Sequence, residues 1–187
     1  MIHVYSNRAQ QFLDEGNLDA AESELLKAAE IAPENFTVNF KLAQVYLRKG
    51  QADQSYTYCR RSLELMPNFV EGHILLGDIY YHRGKRDKAL DEYLYAIRVG
   101  ANAASAWLAL GRYYFREALY SDAVGAFAKA AQVDPRNEEA KTQLELAERK
   151  KKSLTGMMSE QGAKAKMQLV QPFKRQPKPT KTTRKRT

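Results

Sequence analysis

The chain is poor in the residues that most chemistry requires. Across 187 residues there is one cysteine, Cys59, and there are three histidines, His3, His73 and His82. A lone thiol cannot close an intramolecular disulfide, which agrees with a reducing compartment, and a cytoplasmic location is the expectation. No apolar run reaches the roughly 18 residues that a membrane-crossing helix needs. The segment from Met1 to Arg8 has no apolar stretch of the secretory type, so no leader is expected. The histidines lack metal-ligand spacing, and no phosphate-cradling glycine loop or nucleophile elbow is present. No cofactor, no metal and no catalytic residue is therefore expected, which leaves the functions that rest on binding.

Acidic residues are nearly missing from one end. Residues 150–187 hold 12 Lys or Arg and a single acid, Glu160, for a local charge of +11. The other 18 basic and 21 acidic residues leave residues 1–149 at −3. The net charge of +8 thus belongs to the C-terminal segment.

What the chain does have is a period. Pro33 and Pro67 lie 34 residues apart, and Pro135 lies twice that distance further on, with Ala101 at the skipped site. Phe12, Tyr46, Tyr80 and Tyr114 keep the same spacing. So do Ala21, Ser55, Ala89 and Ala123, the set Ala28, Ser62, Ala96 and Ala130, and the set Leu25, Cys59, Tyr93 and Phe127. Leu42, Leu76 and Leu110 are each followed by a small residue, Ala43, Gly77 and Gly111. A fixed period of this length marks a solenoid, in which each unit buries its apolar face against the next.

On these residues the sequence resembles the tetratricopeptide repeat (TPR) family. The fourth repeat carries the family pattern most fully, in Trp107, Leu110-Gly111, Tyr114, Ala123, Phe127, Ala130 and Pro135. The third repeat has His73 where the aromatic belongs and lacks the proline, and the first has Arg8-Ala9 in place of Leu-Gly. The resemblance covers about residues 2–137 and implies an all-α, right-handed superhelix of helix-turn-helix units. Repeats are expected at 2–35, 36–69, 70–103 and 104–137, with a capping helix at 138–152 and a disordered basic tail at 153–187.

Physical patterning agrees. Each unit holds two segments of about 13 residues with apolar positions at helical spacing. Small residues fall where helices must approach closely. Gly16, Gly50 and Gly84 suit the ends of first helices, and Asn35, Asn68 and Asn137 suit helix starts. In residues 138–152 acids open and bases close the segment, as a helix dipole favours, while Ala140, Leu144 and Ala147 can cover the last repeat. Cys59 and His73 occupy packing positions.

The resemblance implies a concave groove lined by the second, fifth, ninth, twelfth and thirteenth positions of each first helix. In the second repeat these are Thr37, Phe40, Gln44, Leu47 and Arg48. The third supplies Glu71, Ile74, Asp78, Tyr81 and His82, and the fourth supplies Ser105, Leu108, Arg112, Phe115 and Arg116. Phe40, Ile74, Tyr81, Leu108 and Phe115 are expected to form an apolar stripe bordered by Gln44, Asp78 and Arg112, suited to a helix or extended peptide with a few apolar anchors. The competing reading buries much of that stripe between neighbouring helices. The clamp by which chaperone-binding members hold a C-terminal carboxylate is not expected, because the matching positions (Ser6, Gln10, Lys41, Glu71 and Leu75) supply one cation, Lys41, where two or three are needed.

Beyond Ser153, the bases Lys174, Arg175, Lys178, Lys181, Arg184, Lys185 and Arg186 could hold nucleic-acid phosphates, an anionic lipid surface, or nothing but water. Leu169, Val170 and Phe173 form an apolar island that resembles a short docking motif. The sequence points to a non-enzymatic adaptor or assembly factor that takes another protein's segment in its groove. Alternatives are an RNA- or DNA-binding factor led by the tail, a chaperone of a secreted or assembled protein, and self-association through the 169–173 island.

Overall fold

The computed structural model describes the backbone of residues 2–100 and 102–169, and side chains within that range as far as residue 157. The regular structure of the described residues is all helical, without strands. Four helix pairs follow one another: α1 (Ile2–Asp14) with α2 (Leu18–Ile31), α3 (Phe36–Arg48) with α4 (Ala52–Leu65), α5 (Val70–His82) with α6 (Arg86–Val99), and α7 (Ala104–Arg116) with α8 (Tyr120–Val133). A last helix, α9, spans Glu138–Leu169.

The turn inside each pair has one chemistry. Gly16, Gly50 and Gly84 adopt φ of 75°, 75° and 71°, a left-handed conformation that glycine enters without a Cβ penalty. The next amide then reaches back, from Asn17, Gln51, Lys85 and Leu119 to the carbonyls of Phe12, Tyr46, Tyr80 and Tyr114, at 2.8, 2.8, 2.9 and 2.9 Å. This is a Schellman-type closure. In the fourth pair the left-handed site is Ala118, with φ 58°.

Helix starts are capped unevenly. Asn35 and Asn137 accept hydrogen bonds from the amides of Val38 and Ala140 at 3.1 and 2.9 Å. Asn68 does not cap: α5 begins one residue later than its position allows, and Phe69 occupies the cap without a side-chain bond. Asn17, which the sequence reading passed over, caps α2.

Two compact units divide the chain, Met1–Arg149 and Lys150–Thr187. In the first, the core is a succession of apolar seams between neighbouring helices, as a one-dimensional stack requires. The glycines of the Leu-Gly pairs receive the aromatics of the second helices. A Cβ at Gly77 would lie 2.6 Å from the Tyr93 ring, and one at Gly111 would lie 2.5 Å from the Phe127 ring. In α4, Ser55 and Ser62 stand where other repeats have alanine, and both are buried. Their hydroxyls donate to the carbonyls of Ala43 and Phe36 at 2.8 and 2.9 Å, so burial leaves neither unsatisfied.

The expected end of the capping helix at residue 152 is corrected. The first helices begin at Ile2, Phe36, Val70 and Ala104, and α9 begins at Glu138, one period later. It therefore starts as a fifth first helix, with Ala140 and Ala147 fully buried beside α7 and α8 residues. Its turn site would be Lys152, where no glycine stands, and no proline occurs before Pro172. Alanine, lysine, methionine and leucine in 163–169 sustain the helix. The helix therefore reaches Leu169 rather than ending with the repeat pattern. Within the second unit, residues 150–157 are exposed at every position.

Candidate functional site

Three first helices, α3, α5 and α7, bring seven of the expected residues together. Phe40, Gln44, Ile74, Asp78 and Arg112 line one cleft of about 240 Å³. Glu71, Leu75 and Ser105 complete its wall. Leu75 was missed from sequence because it lies one position outside the periodic groove set, and it is also a core residue, 7% exposed.

Three of the lining residues are held by neighbours. Phe40 packs edge-to-face on Phe69, with ring centroids 4.8 Å apart, and Phe69 takes Phe36 on its other side at 5.3 Å. Asp78 accepts a 2.7 Å hydrogen bond from the hydroxyl of Tyr93. Burial, and then the Asp78 carboxylate, push that phenol well above its ordinary range. Arg112 donates to Glu139 of α9 at 2.9 Å. The cleft thus offers an apolar floor, an amide, and a carboxylate and a guanidinium that are already partnered.

Other expected groove residues lie elsewhere. Leu108 is buried at 5% exposure, in the seam that contains Ala140 and Ala147 of α9, so its place in an open stripe is corrected. Phe115 is half-buried, edge-on to Tyr120 at 5.3 Å and packed against the same seam. Tyr81 is half-buried between the guanidiniums of Arg86 and Arg116, 5.6 and 5.2 Å from its ring. Arg86 in turn donates from Nε to both oxygens of Glu117, at 2.8 and 3.0 Å. That contact holds the Glu117 carboxyl below its usual range, with help from the Tyr81 hydroxyl and against its partial desolvation. Arg48, His82 and Arg116 are exposed at the last positions of α3, α5 and α7. Leu169 closes α9. Val170, Phe173 and the tail bases Lys174, Arg175, Lys178, Lys181, Arg184, Lys185 and Arg186 lie outside the described residues.

Two further clefts, of about 370 and 180 Å³, share His73 and Glu92. His73 stands where the next repeat has Trp107, a side chain large enough to fill such space. Its Nδ1 lies 2.8 Å from Glu92, and its Nε2 lies 2.9 Å from the carbonyl of Pro67. Asn39, one repeat earlier, donates to the carbonyl of Pro33 at 3.0 Å. The fourth position of a first helix therefore ties down the preceding turn, a role that sequence reading reduced to packing. Burial alone would lower the His73 pKa, but the bonds to Glu92 and to Pro67 outweigh it and raise it. With acceptors at both nitrogens, this imidazole is best satisfied as a cation. Cys59 is fully buried, donates weakly to the carbonyl of Gly72, and burial pushes its thiol up to about 12, so it is no nucleophile.

The sequence pattern of the tetratricopeptide repeat matches residues 7–68 and 74–140. No curated protein sequence matches the chain. Among solved structures, a MamA protein superposes with a TM-score of 0.59 at 21% identity, covering 80% of this chain and 82% of that one. A chain of the APC/C hetero-tetramer Cut9-Hcn1 gives 0.67 at 17% identity, over 79% of this chain and 30% of that one. The O-GlcNAc transferase of Thermobaculum terrenum gives 0.64 at 20% identity, over 70% of this chain and only 26% of the enzyme. These likenesses concern the fold. Among the described residues, no helix is long and apolar enough to cross a membrane.

Proposed function

The chain belongs to the tetratricopeptide repeat family, whose members bind other proteins, and we propose that it is a non-enzymatic adaptor or assembly factor that holds a protein segment in its concave groove. The observation that carries this reading is the convergence of Phe40, Gln44, Ile74, Asp78 and Arg112, drawn from three repeats, on one cleft. Its apolar floor is bordered by hydrogen-bonding groups, the arrangement that accepts a few anchor side chains and fixes their direction. The charge separation between residues 1–149 and 150–187 supports a second contact, in which the basic segment holds an anionic partner in a salt-dependent way.

The test is capture of partner protein by the full chain at physiological salt, with and without nuclease. Phe40→Ala combined with Ile74→Ala is expected to abolish capture of a nuclease-resistant protein, while Gln at the basic positions between Lys174 and Arg186 weakens it only modestly. Loss through the tail substitutions or nuclease alone would instead support a nucleic-acid-tethered factor. Unchanged capture by the Phe40/Ile74 variant would remove the groove from the function.

A further inference from the structure

One row of basic residues beside the groove is left without ionic partners among the described residues. Arg48, His82 and Arg116 are the thirteenth and last residues of α3, α5 and α7, each one 34-residue repeat from the next. All three are exposed. None forms an ion pair with another described residue, although Arg116 rests 5.2 Å above the Tyr81 ring. Residues nearby behave differently. Lys49 is bound to Asp19 and Glu22 of the preceding repeat, Arg83 to Asp53 of the preceding repeat, and Arg86 to Glu117 of the following one. Lys49, Arg83 and Arg86 thus join repeats, and the basic residues that end α3, α5 and α7 do not.

Helical geometry turns the unpaired row toward the cleft. At about 100° per residue, Thr37, Phe40, Gln44 and Arg48 fall within an arc of about 80° on α3. His82 and Arg116 hold the same places on α5 and α7. Neighbouring first helices lie about 8–10 Å apart, so the rungs repeat at about that distance. In an extended peptide, side chains on one edge recur about every 7 Å, close enough for flexible Arg side chains to meet successive carboxylates. On the cleft wall itself stand Glu71 and Asp78. The groove is therefore cationic along one rim and acidic within.

We infer that this rim selects the occupant: an extended peptide with apolar residues for the Phe40 and Ile74 floor and a row of Asp or Glu side chains along the edge that faces Arg48, His82 and Arg116. The inference rests on the groove reading proposed above. A nucleic-acid strand fits less well, because its continuous phosphate charge would lie against Glu71 and Asp78, while a peptide can confine its acids to one edge.

The experiment uses the full chain and a fluorescent dodecapeptide in which Glu alternates with Leu and Phe. Its counterpart with Gln in place of Glu serves as comparison. Arg48→Glu combined with Arg116→Glu is expected to weaken the acidic peptide about ten-fold or more, a change of about 1.4 kcal/mol per ten-fold, and to leave the Gln peptide unaffected. His82→Lys, which places a permanent cation on the middle rung, is expected to tighten it. All three positions are exposed, so thermal melts of the variants should match the parent. Equal binding of both peptides, or binding indifferent to the rim but lost in Phe40→Ala/Ile74→Ala, overturns the inference and leaves the groove reading standing. Binding indifferent to rim and floor alike overturns both, including the case in which only Gln substitution of the bases from Lys174 to Arg186 removes it. Displacement of the peptide by a single-stranded oligonucleotide that shows the same rim dependence would assign the row to nucleic acid, and the peptide inference would fall.

Discussion

One repeat position meets different fates in the middle and at the C-terminal end of the solenoid. Phe40 and Ile74, at the fifth position of α3 and α5, line an open cleft with Gln44 and Asp78 at the ninth. Leu108, at the fifth position of α7, is buried with Ala140 and Ala147, while Arg112, at the ninth, still lines the cleft and is bonded to Glu139. The difference comes from what stands next in the stack. α9 begins in phase as a fifth first helix and brings two alanines and a glutamate to that end. A repeat position is thus a binding residue or a core residue according to its neighbour, and not according to its own place in the pattern.

That contrast can be broken from either side. Leu108→Ala should destabilise the fold by about 2–4 kcal/mol, the ordinary cost of emptying a buried leucine site. Ile74→Ala, at a half-buried site, should cost about half as much and remove ligand binding instead. Urea unfolding followed by circular dichroism separates the two, and equal losses would erase the distinction between core and groove. Gly111→Ala, which drives a methyl into the Phe127 ring, should cost about 1–3 kcal/mol, since a buried ring between helices has little room to move. Full stability in that variant would show the α7–α8 contact to be looser than the fold implies.

Smaller effects sharpen the comparison. His73 has a raised pKa in the folded state, so its contribution is complete below the ordinary imidazole pKa and declines as pH rises through the folded value. Stability should fall by up to about 1 kcal/mol over that window, on the scale of one hydrogen bond. Glu92→Gln should flatten the profile, and a parent profile already flat there would contradict the His73–Glu92 contact. Ala118→Gly should stabilise by about 0.5–1 kcal/mol, because a left-handed alanine costs about 1–2 kcal/mol and glycine's larger unfolded entropy returns part of it. A lowered Tm would show that the Ala118 turn is not strained. Glu139→Gln should change stability least, by under about 1 kcal/mol for an exposed pair, while freeing Arg112 and so strengthening binding of an acidic peptide.

Much of this was legible beforehand. Recurrence of Phe12, Tyr46, Tyr80 and Tyr114 located the turns because each of those carbonyls closes one. Gly77 and Gly111 read as packing glycines because the aromatics they receive recur in step with them. Seven groove residues were found from position alone, whereas Leu108 was misplaced, since its cover comes from α9 rather than from its own helix. The donor role of Asn39 and His73 could have been noticed, as both lie six residues after a proline. The reach of α9 to Leu169 was missed because amphipathic periodicity was taken as the condition for a helix, when good helix formers without a breaker suffice.

By itself the sequence determined the period, the pairing of helices and the close contact of small residues with aromatics. Each of these is set by sterics and hydrogen bonds within about one repeat, so a local pattern carries them. Only the tertiary structure decided which repeat-equivalent side chains stay open, which basic residues are paired across repeats, and that Arg48, His82 and Arg116 find no ionic partner among the described residues. Burial and ion pairing depend on the side chain that the next helix presents, and that is a property of the stack rather than of any one repeat.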